Sequence, residues 1–452
     1  MTTQIDQNVM VMQIIECAVK HGLAALLTEK PFQGVNGSGK HNNWSIGTDN
    51  GTNLLNVLQL AEKSGSGEIF PVIMAAILAA YDDYGDLFRM AIAVPGNDFR
   101  LGACEAPPAI LSTFLGDDMT SFLESYMAGG AAAYIPSSQS LHIGCSAVPP
   151  ITTPAQDRNR TSPFPYGGHR FEFRAVGSSQ NVSLVNTILN TTCAKYFKDF
   201  SEQIEAGAKA RDVATAALKK HWKVVFNGNG YDADNQAMLT QRGVTRIDSA
   251  VDAMVRYTDP RNMALFEEMH VLSPQECVAR QAVSLDHYIG TVEMEARCMV
   301  DMIKQHILPQ ARECELDVHV QGLEDAVRML TEALAEIHNT GDHTQRAALS
   351  RVVRLQTMTT VRVLCDEVEG LVPEEMWTIA TYKELLFIDQ HVATKAPVHD
   401  VLSASSHGRR DPLTSSSHGR RGTDSLSSSL HGTRLSGPAG AAMAKMLNNM
   451  SA

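Results

Sequence analysis

No apolar run in the chain is long enough to cross a bilayer. The longest, Phe70 to Tyr81, is about half a membrane span and reads as a buried helix. The eight cysteines (Cys17, Cys104, Cys145, Cys193, Cys277, Cys298, Cys314 and Cys365) form no Cys-x-x-Cys pair. Neither a zinc knuckle nor a disulfide frame is indicated, and reduced thiols in a cytoplasmic protein are expected. The opening MTTQIDQNVMVMQ lacks the basic stretch and apolar core of a secretory signal. Positive charge is not in excess either: 38 Lys and Arg against 50 Asp and Glu leave a net charge of -12. That balance repels polyphosphate at long range and argues against nucleic acid as the main partner, although local basic clusters can still hold a small phosphorylated ligand. What is present is a globular composition. The 452 residues, 44% of them hydrophobic, suffice for a real core, and at about 150 residues per domain for two or three domains.

The chain changes character along its length. Residues 1–205 mix helices, short strand-like runs and most of the Gly/Pro/Asn loops. Helical spacing runs from Met10 to His21, Glu68 to Ala80 and Val182 to Glu202, while Leu23 to Leu27 reads as a short buried strand. Phe171-Glu172-Phe173-Arg174 alternates apolar and charged residues, the pattern of a half-buried strand. Residues 206–395 are almost wholly helical, with apolar residues at three and four spacing through Leu285–Leu308, Val320–His338 and Ala347–Leu371. Residues 396–452 collapse into Ser, Gly, His and Arg, with SSHGRR, SSSHGRR and SSSLHGTR as decayed copies of one unit. Such a tract buries too little apolar area to offset its ordering entropy, so a disordered tail is expected.

Three loops carry the chemistry. Gly34 to Ser45 nearly matches a phosphate-binding P-loop, but His41 stands where Ser or Thr would hold magnesium, and NNWSIGTDNGTN is a poor helix former. The P-loop reading is therefore rejected. Its glycines still let backbone approach a ligand, and His41 offers an imidazole to a metal or a phosphate oxygen. In the second loop, Asn97 to Pro108, Arg100 suits a carboxylate and Glu105 suits proton transfer from an amine, and a loop salt bridge remains the plainer alternative. The third holds Arg158, Arg160, Arg170 and Arg174 around Glu172. Alternation puts Arg170, Glu172 and Arg174 on one face of a strand, either as a salt-bridge ladder or as a metal ligand among phosphate clamps.

In this order, NGSGKHNNWS, NDFRLGACEAP, RNRTSP and RFEFR resemble the catalytic domain of glutamine synthetase. The wording EKPFQGVNGSGKHNNWS and DRNRTSPFPYGGHRFEFRAVGSSQN, with HVLSPQE and EEMWTIATYKELLF further on, is similar to the type III branch over about residues 1 to 390. The resemblance implies an α+β catalytic domain, an antiparallel sheet with helices, followed by a helical region. It implies ATP-dependent amidation of glutamate by ammonia through γ-glutamyl phosphate, with Mg2+ or Mn2+, in homo-oligomeric rings. Carried over by motif, Asn36 and Gly37 contact glutamate's backbone groups, and Arg100 and Arg174 hold its carboxylates. His41 and Glu172 bind the metal that meets the nucleotide phosphates, and His41, Ser45, Arg158 and Arg170 line the ATP site. Arg160 steadies the transferring phosphoryl group, and Glu105 closes over the site and helps deprotonate ammonium.

Three departures bear on this. Asn43 replaces a second histidine found in other branches, and Pro165 stands where an arginine is common. The chain also starts about one helix before the glycine loop, where the family has a β-grasp domain and most of its metal-binding glutamates. The expectation is a catalytic domain truncated on its N-terminal side and weak or inactive alone. The competing reading is a non-catalytic subunit that binds nucleotide or glutamate.

Overall fold

The computed structural model describes residues 2–21, 23, 25–31, 35–102, 106–136, 139–141, 151–153, 159–381 and 384. The architecture is α+β, with helices dominating. The first half contains α1 (Thr2–Glu16), β1 (Gly39–Trp44), α2 (Val57–Ser64), α3 (Ile69–Asp83), α4 (Gly85–Ala91), α5 (Asn97–Arg100), β2 (Thr113–Phe114) and α6 (Asp117–Met127). It continues with β3 (Gln139–Leu141), β4 (Ile151–Thr153), β5 (Phe164–Pro165), β6 (Phe171–Gly177) and α7 (Ser183–Glu205). The remainder is helical: α8 (Ala210–His221), α9 (Ala233–Gln241), α10 (Ala250–Met254), α11 (Pro260–Glu268), α12 (Pro274–Met302), α13 (Leu308–Glu313), α14 (Asp317–Asn339), α15 (His343–Val352) and α16 (Met358–Leu371).

One expectation is corrected. The described residues of the Leu23–Leu27 segment form no strand, and Leu23 and Leu26 are 53% and 54% exposed. An apolar run becomes a strand only where a neighbour pairs its backbone groups, and no described strand adjoins it. The expected antiparallel pairing is present on a small scale: among the described residues β1–β6 and β3–β4 are antiparallel ribbons, beside one short parallel pair, β2–β5. The low-complexity tail lies outside the described residues.

Helix α3 has the all-round apolar sequence IFPVIMAAILAAYDD, and every residue from Ile69 to Asp82 is buried. A helix without a polar face must be enclosed, and α7 and α8 pack along it. The opposite wall is aromatic. Phe164 stacks on Phe171 with ring centroids 4.5 Å apart and on Tyr81 at 4.7 Å, and Phe173 meets Phe88 at 5.9 Å. Phe171 and Phe173 occupy alternate positions of β6, so one whole face of that strand is committed to the core.

Helix α12 opens with a capping box, in which Ser273 and Glu276 satisfy each other's backbone donors, and has Pro274 in its first turn. Its apolar stripe, including Leu285, Ile289, Val292 and Ala296, packs on α14 and α15. Single π-helical turns continue α12 at Ile303–Ile307 and α15 at Val353–Thr357. The buried apolar cluster is continuous from Trp44 to Trp377, so the helical region shares its core with the first half.

Truncating Phe171 to Ala should lower unfolding free energy by about 3–5 kcal/mol through lost burial and a cavity. Val283→Ala, on the 68% exposed face of α12, should stay within about 0.5 kcal/mol. Denaturant titration of both variants measures the contrast.

Candidate active site

The site grows from the β1–β6 ribbon. The register pairs Asn42 with Phe173, Asn43 with Glu172 and Trp44 with Phe171, with an irregularity between Lys40 and Asn42 that falls at His41. On β1, Asn42 and Trp44 turn inward, where Asn42 Nδ2 donates to Asn186 Oδ1 at 2.9 Å and Trp44 Nε1 donates to Asn190 Oδ1 at 3.1 Å, both on α7. Their neighbours His41 and Asn43 are exposed on the other face. The face of β6 opposite its phenylalanines carries Glu172 and Arg174 toward them.

There the structure assembles a charged cluster. His41 Nδ1 lies 2.9 Å from Glu172 Oε1, and Arg174 Nη1 lies 3.9 Å from the same oxygen. Arg170 Nε donates to Asn43 Oδ1 at 2.8 Å, so a third basic group borders the cluster. The strand is not half-buried as its alternation suggests: Glu172 is 5% and Arg174 1% exposed. The reason is a cover of charged and polar groups rather than solvent, supplied by β1 and by the α5 turn.

That turn gives Arg100 partners other than the ligand carboxylate expected of it. Its guanidinium is 3% exposed, and it donates to Arg174 O at 3.1 Å, Val176 O at 3.3 Å and Asn97 Oδ1 at 3.3 Å. Burial pulls its pKa down to about 10, with Glu29 opposing the shift and Arg174 adding to it. Arg100 therefore braces the backbone of β6 behind the cluster.

Glu29 is a buried neighbour that motif reading missed. It is 3% exposed, and its Oε1 accepts from the Ser179 amide at 2.9 Å and from the Ser179 hydroxyl. A Cβ at Gly96 would meet its Oε2 at 2.0 Å, one at Gly177 its Oε1 at 2.4 Å, and one at Gly39 the Arg100 Nη2 at 2.0 Å. Three glycines far apart in sequence thus make room for one buried acid and one buried base. No local pattern announces such a site; the only sequence signal is a glutamate beside a glycine-rich loop.

Asn36 is exposed and Gly37 half-buried in that loop, which Ser38 N fastens to Glu29 O at 2.8 Å. Ser45 is half-buried immediately after β1. Arg160 is exposed on a turn held by Asn159 Nδ2, which donates to Gly228 O at 3.0 Å, and by Gly230 N, which donates to Thr161 Oγ1 at 2.8 Å. This turn joins the cluster through Arg174 N, which donates to Pro163 O at 2.9 Å. Glu105 and Arg158 lie outside the described residues.

An imidazole nitrogen and a carboxylate oxygen within contact of each other are suitable donors for a divalent cation, so His41 and Glu172 fit one edge of a metal site. They fill two of the about six positions magnesium takes. Among the described residues, the one three-donor group is elsewhere: Asp82, Asp83 and His221. There Lys223 stands 3.2 Å from Asp82 and Lys220 3.8 Å from Asp83, so the acids are already balanced and the group ties α3 to α8. A surface groove of about 580 Å3 along α12, lined by Met294, Cys298, Met302 and His306 among others, contains none of the predicted site residues.

A family profile for the glutamine synthetase C-terminal domain matches residues 209–322. Those residues carry a domain of the glutamine synthetase family, and the chain is similar to members of that family over 85% of its length. Among its curated relatives, the type-3 glutamine synthetase of Dictyostelium discoideum is 34% identical over 423 residues, covering 85% of this chain and 57% of that protein. The glutamine synthetases of Butyrivibrio fibrisolvens and Bacteroides fragilis (strain YCH46) are 31% and 30% identical and are spanned to 59% and 58%. The chain therefore spans less than two thirds of the length of the curated relatives it matches.

His169 generates a pH prediction. Arg170 Nη1 lies 2.8 Å from its Nε2; guanidinium only donates, so Nε2 accepts and the ring is neutral with its proton on Nδ1. Burial first, and the Arg170 charge second, hold its pKa below the usual range. The unfolded chain takes up this proton near pH 6.5 and the folded chain only lower, so the contribution to stability is lost as pH falls through that window, below about 6.5. NMR titration of the His169 ring should show a depressed midpoint. Arg170→Ala should raise it only partway, because burial is the larger cause.

Proposed function

We propose that this chain provides the nucleotide- and glutamate-binding part of an ATP-dependent glutamate–ammonia ligase. The observation that carries this is the His41–Glu172–Arg174 cluster on one ribbon, bordered by Arg170, in a chain similar to members of this family. Arg170, Ser45 and Arg158 are assigned to ATP, with His41 and Glu172 meeting the cation on its phosphates. That cation, Mg2+ or Mn2+, would neutralise charge on the phosphoryl oxygens. Asn36, Gly37, Arg100 and Arg174 are assigned to glutamate, and Arg100 also buttresses the backbone at Arg174.

The glutamate side-chain carboxylate attacks the terminal phosphorus of ATP, the bond to the bridging oxygen breaks, and ADP leaves. The product is γ-glutamyl phosphate. Arg160, on its neighbouring turn, balances the charge on the transferring group. The lone pair of ammonia then attacks the acyl carbon and expels phosphate, with Glu105 taking the proton that ammonium sheds. Fixed guanidiniums suit this reaction because they offer positive charge without reorganising at the moment of transfer.

The division into residues 1–205, 206–395 and 396–452 is proposed as a catalytic part, a helical region and a tail. The chain is read as a cytoplasmic member of homo-oligomeric rings. Among the described residues the proposed cation meets two protein donors, His41 and Glu172, and its remaining positions would be filled by nucleotide phosphates and water.

Titration calorimetry with Mg·ATP and with glutamate tests the assignment. Glu172→Gln should weaken Mg·ATP binding at least tenfold, and Arg174→Lys should weaken glutamate binding by a similar factor, since lysine lacks the bidentate fork. Conservative replacements keep the side-chain volume; Glu172→Gln still removes the charge facing Arg174, so thermal stability is measured beside binding. Unchanged affinities in both variants would make the cluster a structural ladder.

A further inference from the structure

Each residue of the four-residue helix α5 has a partner elsewhere in the molecule. Asn97 Nδ2 donates to Ala175 O of β6 at 3.1 Å and to Ile92 O at 2.9 Å. Arg100 holds the two adjacent carbonyls of β6, Arg174 O and Val176 O. Between these clips, Phe99 lies under the Arg354 guanidinium, 4.9 Å from ring centroid to Cζ. The carboxylate of Asp98 points the other way. Oδ1 accepts from Ala250 N at 2.8 Å, and Oδ2 accepts from Tyr288 Oη at 3.0 Å. Arg89, whose side chain is 0% exposed, stands 3.7 Å from Oδ1.

Ala250 begins α10, Tyr288 lies in α12, and Arg354 lies in the π-helical turn after α15. All three belong to the helical region, whereas Asp98 is in the first half. A buried carboxylate is costly unless its oxygens are satisfied, and here its satisfaction depends on both parts keeping their relative position. The side chain of Asp98 is 1% exposed, so water does not substitute for a lost donor.

We propose that Asp98 and Tyr288 are positioning residues, through which the helical region sets the α5 turn and hence the β6 segment that presents Arg174. The same device connects the first half of the chain to its helical region: moving α12 relative to α4 unloads Asp98, and α5 then relaxes its grip on residues 174–176. This role rests on the reading of Arg174 as a glutamate contact for its effect on substrate, but not for its effect on β6.

Two variants test it without emptying the node. Tyr288→Phe deletes one donor and keeps the ring. Asp98→Asn keeps the size of the side chain and removes the charge that strengthens both bonds and holds Arg89. Each is measured by amide hydrogen exchange and by calorimetric titration with glutamate and Mg·ATP. Exchange at the Arg174 amide, relative to the Val72 amide in α3, should accelerate about tenfold, the loss of one net hydrogen bond. Glutamate binding should weaken by a similar factor with Mg·ATP binding within twofold. If the unmodified chain binds no glutamate while Arg174 exchange still accelerates, the ligase assignment fails and the positioning role stands. Unchanged Arg174 exchange in both variants would overturn it.

Discussion

Strand β6 has to satisfy two incompatible environments at once, and the site follows from how it does so. Its phenylalanines enter an aromatic core with centroid separations as short as 4.5 Å. Its acid and base at the alternate positions are buried as deeply, under β1 and α5. Burying ionic groups on a strand is unfavourable unless each finds a partner. Pairing them with His41, and bracing the carbonyls behind them with Arg100, turns that cost into a fixed electrostatic surface. A ligand reaching it would meet positive charge held by packing rather than by flexible side chains at the solvent boundary.

The second level of support is spread through the chain. Glu29 and Arg100 occupy space that only glycine leaves open at positions 39, 96 and 177. Asp98 links the same turn to α10 and α12. These groups come from segments more than a hundred residues apart, so the ribbon depends on the helical region being in place. The continuous buried cluster from Trp44 to Trp377 is the apolar counterpart of this connection. Substitutions in α12 far from the cluster are therefore expected to act on it through Asp98 rather than through loss of fold.

Much of this was legible in sequence, for physical reasons that differ by element. Helix α3 was visible because a wholly apolar run of that length has few alternatives to burial. The long helices α12, α14 and α16 were visible from their spacing. The face shared by Glu172 and Arg174 followed from the period of two in a strand. The Leu23–Leu27 segment misled because apolarity alone does not supply a pairing edge. Burial of β6 on both faces was hidden, since part of its cover comes from Arg100, which donates to the strand's own carbonyls from a distant turn. Glu29 was hidden because the glycines that make room for its carboxylate, Gly96 and Gly177, share no local window with it. Glu105, Arg158 and the tail after residue 395 lie outside the described residues.

The central claim is that His41 and Glu172 share one cation on a bound nucleotide. The most direct measurement is pulsed electron paramagnetic resonance of the protein with Mn·ATP. Coupling of the manganese to an imidazole nitrogen is predicted for the unmodified chain and should vanish in His41→Ala. Nitrogen coupling that persists in that variant, or bound Mn·ATP without nitrogen coupling, would contradict the account.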